Sequence, residues 1–271
     1  MNEKPVALVT GASKNIGIAI AKRFAKEGYD VCITSTKRQT ADSAVDEIQN
    51  IYPSAKVKGY VMYANETDSI NAVFDRISKD FGRIDALIAN AADPGYNQSI
   101  ISTTPEQYDY VMNTNARGYF FCSQQAARLM IKTGIQGSIV LIGSVHSKRA
   151  LPNRIVYASS KGAIDTLNRN MCYELGKFGI RSNIIVVGAV CNDRWICYTE
   201  EDYEKKRANW PLGMESYPDD IANAAYFLSS DQAKTISGSE ITVDSGVMSV
   251  LLNYNKNWDA ETDERENLMK K

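Results

Sequence analysis

Histidine is nearly absent: the 271-residue chain has one, His146. A zinc site built on histidines needs more, so no metal site is expected. Cysteine is sparse. The five, at positions 32, 122, 172, 191 and 197, form no CxxC pair and leave one over. They read as reduced thiols of a cytoplasmic protein rather than a disulfide framework. No apolar run reaches the ~18 residues that a membrane span needs. The opening "MNEKPVALVTGAS" enters a strand pattern almost at once and lacks the apolar stretch of a secretory signal. Excess charge is missing too. The net charge is −1, with Lys and Arg dispersed among acids, which excludes the basic footprint of a nucleic-acid binder.

What is there is alternation. Hydrophobic residues make up 44 % of the chain, enough for a full core. "VALVT" (6–10), "DVCIT" (30–34), "KVKGYVM" (56–62), "DALIAN" (85–90), "GSIVLIGS" (137–144), "RSNIIVV" (181–187) and "EITVD" (240–244) read as strands. Amphipathic stretches lie between them. Over 70–81 the apolar residues are Ile70, Val73, Phe74, Ile77 and Phe81, a helical period. "IAIAKRFAKEG" ends on Gly28, a helix-stopping glycine. Seven strands with helices between them predict an α/β fold, a parallel sheet covered on both faces, in one domain over 1–252. Segment 191–217 breaks the rhythm, is rich in aromatics, and is expected to form a lid over the ligand crevice. The charged tail, 253–271, is expected to cross a subunit interface or help close a pocket.

Two places carry chemistry. "VTGASKNIG" follows the first strand and opens the first helix. A turn of small residues there lets backbone N–H groups approach a pyrophosphate. Gly11 and Gly17 hold two glycine positions, and Asn15 stands where a middle glycine is usual; Asn tolerates the left-handed conformation. The second strand ends in Ser35, Thr36, Lys37 and Arg38, with no carboxylate to take a ribose 2′-hydroxyl. Hydroxyls and cations, Lys14 among them, suit a 2′-phosphate, so NADP(H) is favoured and NAD(H) remains possible. The alternative is that Lys37 and Arg38 are only a solvated loop. The second place is "YASSK": Tyr157 and Lys161, one helical turn apart on one face. A carbonyl receiving hydride at carbon needs a proton at oxygen. A phenol with a pKa of about 10 is a weak donor for that, and a neighbouring cation favours its ionised form.

With "TGASKNIG", "ANAAD", "NTNARGYFF", "GSVHS", "YASSK" and "VDSG" in this order, the chain resembles the short-chain dehydrogenase/reductase family from about Val6 to Met248. The resemblance implies a doubly wound, seven-stranded Rossmann domain. It implies dimers or tetramers and NAD(P)-dependent interconversion of small-molecule alcohols and carbonyls. By position, Tyr157 looks like the acid/base and Lys161 like the residue that tunes it and binds the nicotinamide ribose. Ser144 looks like the hydroxyl that holds the substrate oxygen. Asn115 looks like the asparagine that completes the proton relay, and fits the family's spacing to Gly118 better than Asn113 does. The cofactor set it implies further includes Ser13, Ile16, Ala64, Asn90, Ala91, Gly188, Val190 and Asn192. His146 and Trp195 are expected at the substrate.

The departures are Ala92 where a glycine is usual, Val187 where a proline precedes Gly188, Asn192 for a threonine, and Tyr63 for an aspartate that contacts adenine. The lid aromatics Trp195, Tyr198, Tyr203 and Trp210 suit a steroid-like or other bulky apolar ketone first, a sugar or polyol second and a β-ketoacyl thioester third. A non-catalytic NADP(H) sensor on the same fold is the alternative of another class, but such sensors tend to lose the tyrosine or lysine that this chain keeps.

Overall fold

The seven apolar runs become seven parallel strands. These are β1 (Val6–Val9), β2 (Asp30–Ser35), β3 (Val57–Val61), β4 (Ala86–Ala89), β5 (Ser138–Ile142), β6 (Arg181–Val187) and β7 (Glu240–Val243), in the spatial order 3-2-1-4-5-6-7. Parallel neighbours cannot be joined by tight hairpins, so helices cross over between them. The helices are α1 (Asn15–Lys26), α2 (Arg38–Ile51), α3 (Thr67–Phe81), α4 (Pro105–Met112), α5 (Gly118–Thr133), α6 (Ile155–Leu175), α7 (Glu200–Arg207) and α8 (Pro218–Ser229). The computed structural model describes residues 4–191, 199–208 and 210–250, except the Lys206 side chain. None of the described helices is long and apolar enough to cross a membrane.

Strand periodicity divides the core into two layers. In β1, Ala7 and Val9 face one layer with Ile20 and Phe24 of α1, Ile48 of α2 and Leu228 of α8. Val6 and Leu8 face the other, with Phe74 and Ile77 of α3, Met130 of α5 and Ile164 of α6. Successive strand side chains point to opposite faces, and both faces here are covered by helices, so the strands read as continuous apolar runs. The helical period over 70–81 is real: Ile70, Val73, Phe74 and Ile77 are buried, and Phe81 packs at the edge of the layer. Gly28 follows α1 with φ +88°, the left-handed stop expected of it.

The chain runs outward from β1 to β3, then returns past β1 to β4. Strands β1 and β4 are therefore neighbours whose following segments leave toward opposite faces. Such a reversal opens a crevice at the carboxyl ends of the strands.

If this helix face anchors the second layer, Ile77→Ala lowers the unfolding free energy by about 2–5 kcal/mol. Asp75→Ala, on the exposed face, changes it by less than about 0.5 kcal/mol. Urea midpoints of the two variants test this, and equal midpoints would refute it.

Candidate active site

The crevice begins at the turn between β1 and α1. Gly11 has φ +62° and Asn15 φ +50°, so the asparagine takes up the left-handed conformation that the turn requires. The turn is tied to both neighbouring strands. The Gly11 N–H donates to Thr34 Oγ1 at 3.1 Å and the Ala12 N–H to the Thr34 carbonyl at 2.9 Å. The Asn90 amide donates to the Thr10 and Gly11 carbonyls at 2.9 and 3.0 Å. A Cβ on Gly17 would lie 2.4 Å from the Gly11 carbonyl oxygen, and one on Gly11 would lie 2.8 Å from Ala91 Cα. The glycines thus allow turn, helix and the β4 end to close on one another, and Asn90 holds that arrangement.

At the other end of the crevice stands α6. Lys161 is 2 % exposed. Its Nζ donates to the Ile142 carbonyl at the end of β5, at 2.7 Å, and reaches the Tyr119 hydroxyl at 3.2 Å. The same Nζ lies 5.7 Å from the centre of the Tyr157 ring. Burial pushes the Lys161 ammonium down to about 7, against a smaller opposing pull from Asp165 one turn further on. In the fold its charge is conditional, because desolvation penalises the charged form.

Ser144 sits two residues past β5, also buried. Its Oγ lies 3.0 Å from His146 Nδ1 and accepts the His146 backbone N–H at 3.3 Å. The His146 ring meets the Tyr157 ring edge-on at a centroid distance of 5.6 Å. Burial, helped by the Arg154 charge, holds the imidazole below its ordinary pKa.

Asn115 lies in a wide π turn, Asn113–Arg117, between α4 and α5, and is fully buried. Its amide donates to the Asp93 carbonyl at 2.9 Å and to Ser160 Oγ at 3.0 Å, and its Oδ1 accepts the Asp93 N–H at 2.8 Å. Asn115 therefore fastens the loop after β4 to α6 and does not itself line the crevice.

One cleft of about 1080 Å³ joins the two ends. Gly11, Ser13, Lys14, Asn15, Ile16, Gly17, Ser35, Thr36, Ala64, Asn90, Ala91, Gly188 and Val190 line it with Ser144, His146, Tyr157 and Lys161. Lys37 and Arg38 do not. Lys37 precedes α2 and is exposed, and the Arg38 guanidinium turns to the Gly59 carbonyl at 3.0 Å and to Asp42 at 3.4 Å. A helix begins at Arg38, so its side chain runs along β3 instead of back to the cleft. Asn192 and Trp195 lie outside the described residues. No described residue of 199–217 lines the cleft; there, Arg207 pairs with Glu215 at 2.8 Å and holds that carboxyl down at about 2.

Asp93, Tyr110, Leu151 and Arg154 line the cleft without having been singled out in the sequence. Arg154 was within reach of the helix pattern, standing three positions before Tyr157 on the same face. The others carry no signal of their own. The size of the cleft, its two ends and the glycine cradle fit a dinucleotide with a small substrate beside it.

Comparison with known proteins agrees. A short-chain dehydrogenase family model described as "Enoyl-(Acyl carrier protein) reductase" matches residues 11–248. The 3alpha-hydroxysteroid dehydrogenase of Mediterraneibacter gnavus is 32 % identical over 251 residues, 92 % of this chain and 99 % of that protein. The 3-oxoacyl-[acyl-carrier-protein] reductase FabG of Staphylococcus aureus is 31 % identical over 244 residues, 89 % of this chain and 97 % of that one. The crystal structure of a short chain dehydrogenase from Bacillus anthracis superposes with a TM-score of 0.82 at 31 % identity, covering 93 % of this chain and 98 % of that one. The fold and cleft are those of a nicotinamide-dependent oxidoreductase of CH–OH and carbonyl groups. The chain belongs to the short-chain dehydrogenase/reductase family.

The buried lysine makes a stability prediction. Burial holds its pKa at about 7 in the folded chain, against the ordinary 10.5 of a solvated lysine. Between those values the unfolded chain binds more protons, so stability rises with pH across that window. Denaturant titrations of the cofactor-free protein should show that rise, and Lys161→Met should lack it. Parallel slopes for the two proteins would contradict the burial argument.

Proposed function

We propose that this chain is an NADP(H)-dependent short-chain dehydrogenase/reductase that interconverts a ketone and a secondary alcohol on a bulky, apolar, steroid-like substrate. The observation that carries the reading is the meeting of Ser144, Tyr157 and Lys161 at one end of a cleft whose other end is the glycine turn. A nicotinamide, when bound, supplies or accepts the hydride. The protein's task is the proton and the geometry. Tyr157 gives a proton to the substrate oxygen in reduction and takes it in oxidation. The Ser144 hydroxyl holds that oxygen in line, a positioning role. Lys161 holds the ribose and, when charged, favours phenolate over phenol at Tyr157. Asn115 fixes the loop and helix that place these groups, and carries the relay only through its backbone or solvent.

NADP(H) is favoured over NAD(H) on the lining residues. Lys14, Ser35 and Thr36 face the cleft, and the carboxylate at that end, Glu66, follows β3 rather than β2. Gly11, Ser13, Asn15, Ile16 and Gly17 would hold the pyrophosphate; Ala64, Asn90 and Ala91 the adenosine half; Gly188 and Val190 the nicotinamide. Ala92, Pro94, Tyr110, Leu151 and Val190 give the substrate end an apolar wall. With the steroid activity named for the Mediterraneibacter relative, that wall supports a fused-ring ketone ahead of a sugar or a 3-oxoacyl thioester. The protein is read as cytoplasmic, on the free thiols Cys32, Cys122, Cys172 and Cys191 among the described residues, and as a dimer or tetramer, on the exposed aromatics Tyr108, Phe120 and Tyr173 of α4 to α6.

Two variants test this. Tyr157→Phe keeps the ring and removes the proton, so turnover of 3-ketosteroids should fall by on the order of 10²–10⁴ with NADPH affinity unchanged. Full turnover by this variant would end the assignment. Thr36→Asp places a carboxylate at the end of β2, so it should weaken NADPH binding and strengthen NADH binding, read by fluorescence titration. An unchanged ratio of the two affinities would place the 2′-phosphate elsewhere.

A further inference from the structure

The contact between His146 and Ser144 belongs to no role assigned so far. Resting on the reading of Ser144 and Tyr157 above, we propose that His146 is a positioning residue that acts through Ser144: its Nδ1 decides whether the Ser144 hydroxyl offers a proton or a lone pair to the substrate oxygen.

The argument is a count of hydrogen-bonding capacity. A serine hydroxyl has one proton and two lone pairs. The His146 backbone N–H takes one lone pair of Ser144 Oγ, at 3.3 Å. His146 Nδ1, at 3.0 Å, takes one of the two remaining capacities. The substrate oxygen receives what is left. If Nδ1 is bare, it accepts the serine proton, and Ser144 faces the substrate with a lone pair. If Nδ1 carries hydrogen, it donates to Oγ, and Ser144 faces the substrate with its proton. A carbonyl oxygen gaining negative charge is an acceptor only, so the productive state is the one with hydrogen on Nδ1. Both the Nδ1–H tautomer and the imidazolium meet that condition.

The ring is placed for this purpose. It lies in the tight turn Val145–Ser147, whose first turn is capped by Ser144 itself, and is half-buried against Tyr157. Helix α6 is the element packed most closely on that turn. The charged and titratable groups of its first three turns are Tyr157, Lys161 and Asp165, with Arg154 at its N-cap; Arg169, Cys172, Tyr173 and Glu174 stand further along the helix. Asp165 is already paired with Lys148 from the same turn as His146, at 2.8 Å. The Arg154 charge opposes protonation of the imidazole. Burial and the Arg154 charge thus favour the uncharged ring, in which the proton sits on Nδ1 or on Nε2. Acidification converts all of it to the Nδ1–H form.

Three variants, with 3-ketosteroid reduction as the assay, separate this from packing. His146→Phe keeps the edge-on contact with Tyr157 but has no Nδ1, so kcat should fall about tenfold, the scale of one lost hydrogen bond, with NADPH affinity unchanged. His146→Asn loses the ring but keeps an N–H donor near the Nδ1 position, and should stay within about threefold of wild type. The ratio of wild-type to His146→Asn turnover should rise as pH falls below about 6.5. Full activity in His146→Phe, or equal losses in both variants, would overturn the proposal. Tyr157→Phe run in parallel keeps the two readings apart: if it is inactive while His146→Phe is fully active, only the role of His146 fails.

A second measurement needs no turnover. Because the chain has a single histidine, its ring nitrogens give one unambiguous pair of ¹⁵N signals in the full-length protein. Ser144→Ala should change the tautomer balance and so move the Nδ1 and Nε2 signals in opposite directions. An Nδ1 signal indifferent to Ser144→Ala would remove the contact and the proposal with it.

Discussion

The Lys161 ammonium bonded to the Ile142 carbonyl sets how α6 meets β5 at one end of the cleft. It joins the second turn of α6 to the carboxyl end of β5, out of solvent. Everything at the reacting end is measured from that join. Ser144 follows Ile142 by two residues on the strand side. Tyr157 precedes Lys161 by one turn on the helix side. A strand end and a helix face approach each other only as far as their packing allows, and here one buried hydrogen bond sets the spacing. A buried amine left without its acceptor is costly, so the join has little freedom to slip. Desolvation is the cost of this placement, and it lowers the Lys161 pKa to about 7.

A second constraint works at the opposite end of the cleft. The turn after β1 has to come close to β4, and only residues without a Cβ allow it at positions 11 and 17. Asn90 then spends its side-chain donor on the carbonyls of that turn. The Thr10 hydroxyl accepts the N–H groups of Asn90 and Ala91. The two ends are thus built on the same plan: a strand terminus held to its neighbour by a short, buried polar contact. Asn115 extends the plan to the loop after β4, which it fastens to Ser160 of α6. The π turn at Asn113–Arg117 interrupts the α-helical register between α4 and α5, and such turns place a side chain where a regular helix would not.

Much of this was legible in the sequence, for physical reasons. The strands announced themselves because a sheet covered on both faces needs unbroken apolar runs, and the observed ends fall within a residue or two of the expected ones. α3 was legible because its buried face repeats at the helical period. Asn15 was readable as a glycine substitute because few other side chains tolerate its backbone angles. Other features were out of reach. Whether Lys37 and Arg38 face the cleft depends on where α2 starts; the helix begins at Arg38, and that guanidinium lies against the Gly59 carbonyl. The charge on Lys161 depends on burial, which no spacing reveals. Asp93 and Tyr110 reach the cleft through the loop after β4 and through α4, and irregular backbone carries no period to read.

The chemistry that results depends on groups with little charge to spare. Of the titratable side chains around Tyr157, Lys161 is lowered to about 7 and His146 below its usual value, both chiefly by burial. Arg154, only partly buried, adds a cation that discourages a second one on the imidazole. Groups poised near neutrality answer to small changes in their surroundings, because one pKa unit is only about 1.4 kcal/mol. An anion or a cation arriving in the cleft therefore changes the protonation of the site as well as filling it. A fully solvated lysine four residues from the tyrosine would remain charged whatever was bound. Burying that lysine against a strand carbonyl makes its charge depend on what else fills the cleft, because any added charge or lost solvent acts on a group already lowered by desolvation.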